Sequence, residues 1–179
     1  MESPGNHGKS KRNRIVEKAG LKDVLLKDKR FQAPTAATKK AILAALGLAD
    51  NELFGARSFD AIMLPKPTEP INTSTLSSYV EQILLVEMKT TEKPIKDASL
   101  AGFFFGATQR EYDLAKKLGE KFRFAFVVLN SDNIYGRPFG VLLTLNEVER
   151  RTRTKRIQYQ VNLWNAEDAI NSTSEHIIL

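Results

Sequence analysis

Cysteine is absent from the chain, and histidine nearly so: His7 and His176, one near each end, are its only imidazoles. The first absence excludes disulfides and every thiolate-based metal or redox site. The second leaves zinc without its usual ligands. A metal held here would be a hard cation on oxygen donors, Mg²⁺ with Mn²⁺ as its substitute. No apolar run is long enough to span a bilayer, and the opening MESPGNHGKSKRNR has no apolar segment of the signal-peptide kind, so the chain reads as cytoplasmic and free of membrane partners. Internal repeats and low-complexity blocks are also missing.

What is present is an ordinary globular composition. In 179 residues, 42% hydrophobic and 27% charged, there is material for one core and too little for two. The net charge of +6 suits a polyanionic partner. Its distribution says more than its sum. Lys11, Arg12 and Arg14 belong to a basic N-terminal cluster, and Arg150, Arg151 and Arg153 to a second one near the other end. Neither has the interleaved aromatics that stack on single-stranded bases, so the use expected of them is phosphate contact, against the alternative of a solvated charged face.

Along the chain, residues 1–14 are polar and basic and read as a flexible arm. An N-terminal helical segment follows over 15–50. Within it, Ile15 to Phe31 suggests one or two short helices broken near Gly20, and Pro34 to Leu46 a helix capped by Thr35 or Thr38 and closed by Gly47. The core domain is expected over 51–164, with a C-terminal tail over 165–179. Leu53 to Leu64 reads as a strand or hairpin, and a Pro/Thr/Ser-rich loop leads from it to a strand at Gln82 to Thr91. GFFFGA at 102–107 reads as a short buried strand. Thr108 and Glu111 form a capping box for a helix ending at Gly119. Lys121 to Asn130 and Phe139 to Leu145 read as strands, Asn146 to Arg151 as a helical turn, and Ile157 to Leu163 as an edge strand. The fold class is therefore α/β.

The stretch QILLVEMKTT concentrates the chemistry. Alternation on a strand puts Glu87 and Lys89 on one face about 7 Å apart, with Leu84, Val86 and Met88 on the other. Ile83 and Leu85 make the charged face apolar too, as in a central strand buried on both sides. Asp60, set among Phe59, Ala61, Ile62 and Met63, is expensive to bury unpaired and calls for a cation; alternatively it lies in the turn before a strand starting at Ala61.

In this order the residues resemble the PD-(D/E)xK nuclease superfamily, the restriction-endonuclease-like domains that include Mrr-type relatives. Ser58-Phe59-Asp60 stands where that family has Pro-Asp, and Glu87-Met88-Lys89 stands for its second motif; the similarity covers about Leu53 to Asn130. The resemblance implies an αβββαβ core with a mixed central sheet flanked by helices. It also implies Mg²⁺ on Asp60, Glu87 and the backbone carbonyl of Met88, with Glu52 as the candidate for an additional acid of the metal shell, against the alternative of a surface cap. Lys89 would then position or deprotonate the attacking water. The activity implied is that of a DNA endonuclease of restriction or defence type, leaving a 5′-phosphate and a 3′-hydroxyl. Gln109 is the counterpart of the family's helical Gln, although its spacing to Tyr112 is one residue short of Q-x-x-x-Y. Phe59 in place of Pro is a further departure. Cutting both strands calls for two sites, which extends the expectation to a homodimer. The alternative of another class is a non-catalytic nucleic-acid-binding or accessory subunit on the same fold.

Overall fold

The computed structural model describes residues 5–48 and 58–154, with side chains from Ile15 onward. Its elements are α1 (Gly5–Lys27), β1 (Phe31–Gln32), α2 (Ala36–Ala45), β2 (Ala61–Met63), β3 (Leu84–Thr91), α3 (Gln109–Leu118), β4 (Phe122–Val128), β5 (Phe139–Leu143) and α4 (Leu145–Arg151). The α/β expectation holds: the strands form one mixed five-stranded sheet in sequential order. The β1–β2 and β2–β3 pairs are antiparallel, β3–β4 is parallel, and β4–β5 is antiparallel. The parallel pair needs a crossover, which α3 supplies. Among the described residues no helix is long and apolar enough to cross a membrane.

Strand β3 lies at the centre and is covered on both faces, as its unbroken apolar run implies. Val86 and Met88 join Ala61, Ala125, Val127 and Phe31 in a cluster against Leu21, Val24 and Leu25 of α1. On the opposite face Leu85 meets Ile62, Phe122, Phe124 and Phe126 beneath Ile42 and Leu43 of α2, Leu114 of α3 and Val148 of α4. The helices on that second face are capped, α2 and α3 by the residues read from sequence. Thr35 accepts from the Thr38 amide to start α2, and complete capping boxes at Thr108/Glu111 and Thr144/Glu147 start α3 and α4.

Two expectations need correction. Helix α1 begins at Gly5, inside the stretch read as a flexible arm, and passes through Gly20 without a break. A glycine inside a helix costs about 1 kcal/mol against alanine, and here the missing side chain lets α1 approach β3. A Cβ on Gly20 would lie 2.2 Å from Thr90 Oγ1. The segment 102–107 is a loop rather than a strand. Phe103 and Phe105 set their edges against Phe126, with centroids 5.2 and 5.0 Å apart, while Phe104 points away. The strand-like alternation is real, but β3 already has β2 and β4 as neighbours, so no edge beside it is open for pairing. The remaining expectations at 49–57, with Glu52, and beyond 154, with the edge strand at 157–163 and the tail, lie outside the described residues.

Gly20→Ala is expected to destabilise the protein by about 1–3 kcal/mol through overpacking against Thr90, despite alanine's better helix propensity. Urea denaturation checks this. Adding Thr90→Ala, which removes the two nearest clashing atoms, should recover a large part of the loss.

Candidate active site

The register of β2 and β3 positions the first pair of groups. Ala61 faces Val86, Ile62 faces Leu85 and Met63 faces Leu84. One further step would set Asp60 opposite Glu87 on the same face of the sheet. The ladder diverges there instead. The Asp60 amide donates to the Val86 carbonyl at 2.9 Å, and Asp60 Oδ2 accepts from the Met88 amide at 2.9 Å. Asp60 thus occupies the residue before β2, the turn position among the two readings of the sequence, and its carboxylate is fixed across the strand that carries Glu87.

Parallel pairing with β4 puts Glu87 beside Phe124 and Lys89 beside Phe126, on the aromatic face under α3. Both charged side chains are almost fully buried, Glu87 at 7% and Lys89 at 5% exposure. Lys89 Nζ donates to Glu87 Oε1 at 2.9 Å and to Glu111 Oε2 at 2.8 Å. The same Glu111 oxygen accepts the Thr108 amide at 3.0 Å. Glu111 therefore serves the cap read from sequence and also anchors the buried ammonium. From α2, Lys39 Nζ donates to the Phe59 carbonyl at 2.6 Å and sits 5.0 Å from the centre of the Phe59 ring.

Burial makes these charges expensive, and the groups perturb one another accordingly. Desolvation pushes the Glu87 carboxyl up to about 9, with Asp60 and Glu111 adding to the rise and Lys89 opposing it. Burial alone would lower Lys89, but Glu87 and Glu111 outweigh it and hold the ammonium above its ordinary value. Lys39 is lowered, by desolvation first, against the attraction of Asp60 and Glu87. Tyr112 is raised by burial and by Glu149, and feels Lys89 and Glu111 as well. The cluster holds more carboxylates than its two lysines neutralise, in keeping with the upward push on the Glu87 carboxyl.

The remaining predicted residues fall as follows. The Met88 side chain is buried on the α1 face, while its backbone lies between Glu87 and Lys89. Gln109, in the first turn of α3, is exposed and donates to Asp113 Oδ1 at 2.8 Å, along its own helix. Arg150, Arg151 and Arg153 are exposed at the end of α4, where Arg151 donates to the Ala98 carbonyl at 3.2 Å. Lys11, Arg12 and Arg14 lie on α1, and their side chains are outside the description. The residues missed from sequence are Glu111 as a partner of Lys89, and Lys39. Glu111 was already accounted for by its capping box, and nothing in the α2 sequence marks Lys39.

Among the described residues no group of three or more His, Asp or Glu side chains gathers as a metal site. The oxygen donors on hand are the Asp60 and Glu87 carboxylates, each with one oxygen in a hydrogen bond, and the Met88 carbonyl. That set is too sparse for Ca²⁺ or a closed zinc site; it suits Mg²⁺, which is commonly bound by one or two carboxylates and keeps its waters. No family model matches the chain, and comparison with characterised proteins and with solved structures gives no match either.

The raised Glu87 value fixes the sign of a pH effect. Between its ordinary value of 4.5 and about 9 the folded chain holds a proton that the unfolded chain releases. Stability from this group is complete at the acid end and falls as pH rises through that window. Glu87→Gln, which cannot ionise, should flatten the fall and gain stability relative to the parent at pH 8–9 but not near pH 4.5. Thermal melts across pH in metal-free buffer check it; parallel curves for the two proteins would contradict it.

Proposed function

We propose that the protein is a Mg²⁺-dependent endonuclease that hydrolyses DNA phosphodiester bonds, of the restriction or defence type. The observation that carries the reading is that the Asp60 carboxylate is bonded to the Met88 amide, between Glu87 and Lys89, and acts on the buried Glu87 carboxyl that Lys89 contacts. The element order supports it apart from one insertion: α1, β1, β2, β3, α3 and the parallel β4 follow the αβββαβ order of PD-(D/E)xK nucleases, with α2 added between β1 and β2. Asp60 immediately precedes one strand and Glu87-Met88-Lys89 lies on the next, an order like that of the superfamily.

In this reading the second oxygens of Asp60 and Glu87 and the Met88 carbonyl hold the ion. When bound, Mg²⁺ supplies Lewis-acid stabilisation of charge on the phosphate and a more acidic water. Lys89, held above its ordinary value, stays an ammonium at neutral pH, so its role is to orient the attacking water and offset developing negative charge rather than to act as base. Glu111, fixed by its own cap, holds Lys89 in place. Attack of water on phosphorus with departure of the 3′ oxygen gives the 5′-phosphate and 3′-hydroxyl. The exposed arginines at the end of α4 contact flanking phosphates.

A second reading, a nucleic-acid-binding accessory protein that does not cut, draws on there being no group of three or more acidic or histidine side chains placed to hold a metal among the described residues. Plasmid nicking separates the two. The parent should cut in Mg²⁺ and stop in EDTA, with Asp60→Ala, Glu87→Ala and Lys89→Ala each slower by at least about 100-fold. Intact plasmid with the parent, together with no Mg²⁺-dependent rise in melting temperature, would favour the accessory reading.

A further inference from the structure

We propose that Phe104 is a nucleobase-stacking residue that contacts a base next to the phosphodiester held at Asp60, Glu87 and Lys89; the proposal rests on the nuclease reading. Phe104 is 80% exposed, more than any other large hydrophobic residue among those described. Its neighbours are not: Phe103 and Phe105 both set their edges against Phe126 of β4. The loop reaches this arrangement through two left-handed residues, Leu100 at φ 62° and Gly102 at φ 83°, with the Phe103 amide bonded to the Leu100 carbonyl at 2.9 Å. Left-handed backbone at a leucine is strained, so the loop is held by its surroundings in a conformation that few sequences adopt freely. The result is a protruding ring on a fixed mount.

The mount adjoins the acidic cluster. Phe126, on which the two flanking rings rest, is the register partner of Lys89. Four residues beyond Phe104, the Thr108 amide shares Glu111 Oε2 with Lys89, and four residues span at most about 14 Å. The charge around the ring points to a polyanion. Lys96 and Arg110 are exposed, and Arg151 reaches the same loop at Ala98. The nearby acid Asp97 is engaged locally, accepting from the Ser99 amide. Exposed cations on this loop and on the helices at its ends suit the phosphates that a stacked base brings with it, and every base offers a π-face to an exposed ring.

Binding of a single-stranded oligodeoxynucleotide carrying 5-iodouracil, in EDTA so that no cleavage occurs, tests this. Phe104→Ala should weaken binding by about 5- to 150-fold, Phe104→Trp should restore it, and photocrosslinking should map to position 104 in the parent. Because the ring is exposed, the substitutions leave the core packing in place. A parent that binds and cuts DNA while Phe104→Ala binds equally well, or crosslinks elsewhere, overturns the stacking role and leaves the nuclease reading standing. A parent that nicks plasmid in Mg²⁺ but binds no oligonucleotide in EDTA likewise overturns the stacking role alone, and a parent that neither binds the oligonucleotide nor nicks plasmid overturns both.

Discussion

The site depends on one buried ammonium. Lys89 emerges from the central strand on the aromatic face of the sheet and is met by Glu87 from its own strand and Glu111 from the helix that crosses over to β4. Removing any one of three such charges from a buried group leaves the others uncompensated, at a cost of about 3–5 kcal/mol. A hydrophobic trio of similar volume would fill the same space without that exposure to loss. The arrangement is therefore poorly explained as a device for stability, and it is well explained as a device for holding charge where a reaction needs it.

Two constraints of the fold deliver these groups together. The antiparallel β2–β3 pair brings residue 60 to the level of residue 87, and the ladder ends just there, which frees the Asp60 side chain to reach back to the Met88 amide. The capping box at the start of α3 fixes Glu111 by both backbone and side-chain bonds, so the helix terminus and the lysine share a single carboxylate oxygen. Burial then sets the electrostatics. With burial and with acids in excess of nearby lysines, the Glu87 carboxyl is pushed well above its ordinary range.

Much of this was legible in the sequence where local rules and the final environment agree. The face shared by Glu87 and Lys89 follows from alternation alone, and α2 and α3 announce themselves through Thr caps. The strand β1 did not: two residues, Phe31 and Gln32, pair only because β2 offers an edge, and Gln32 is held by Thr68, Glu69 and Ile71 from a distant loop. Gly20 misled because helix propensity cannot register that a strand residue, Thr90, occupies the space a side chain would fill. The phenylalanine run misled because alternating burial is common to strands and to loops pinned at every second residue. Glu111 and Lys39 reach the site only through tertiary packing, which no spacing within their own helices encodes.

The central claim is that Asp60 and Glu87 share one divalent ion beside Lys89. Crystals soaked in Mn²⁺ and measured at the manganese absorption edge test it most directly. The account predicts an anomalous peak bridging the two carboxylates, with the Met88 carbonyl as a further ligand and Lys89 no longer dependent on Glu87 for its charge balance. Anomalous density elsewhere, or none between these carboxylates in crystals that bind the ion at other acids, would contradict it.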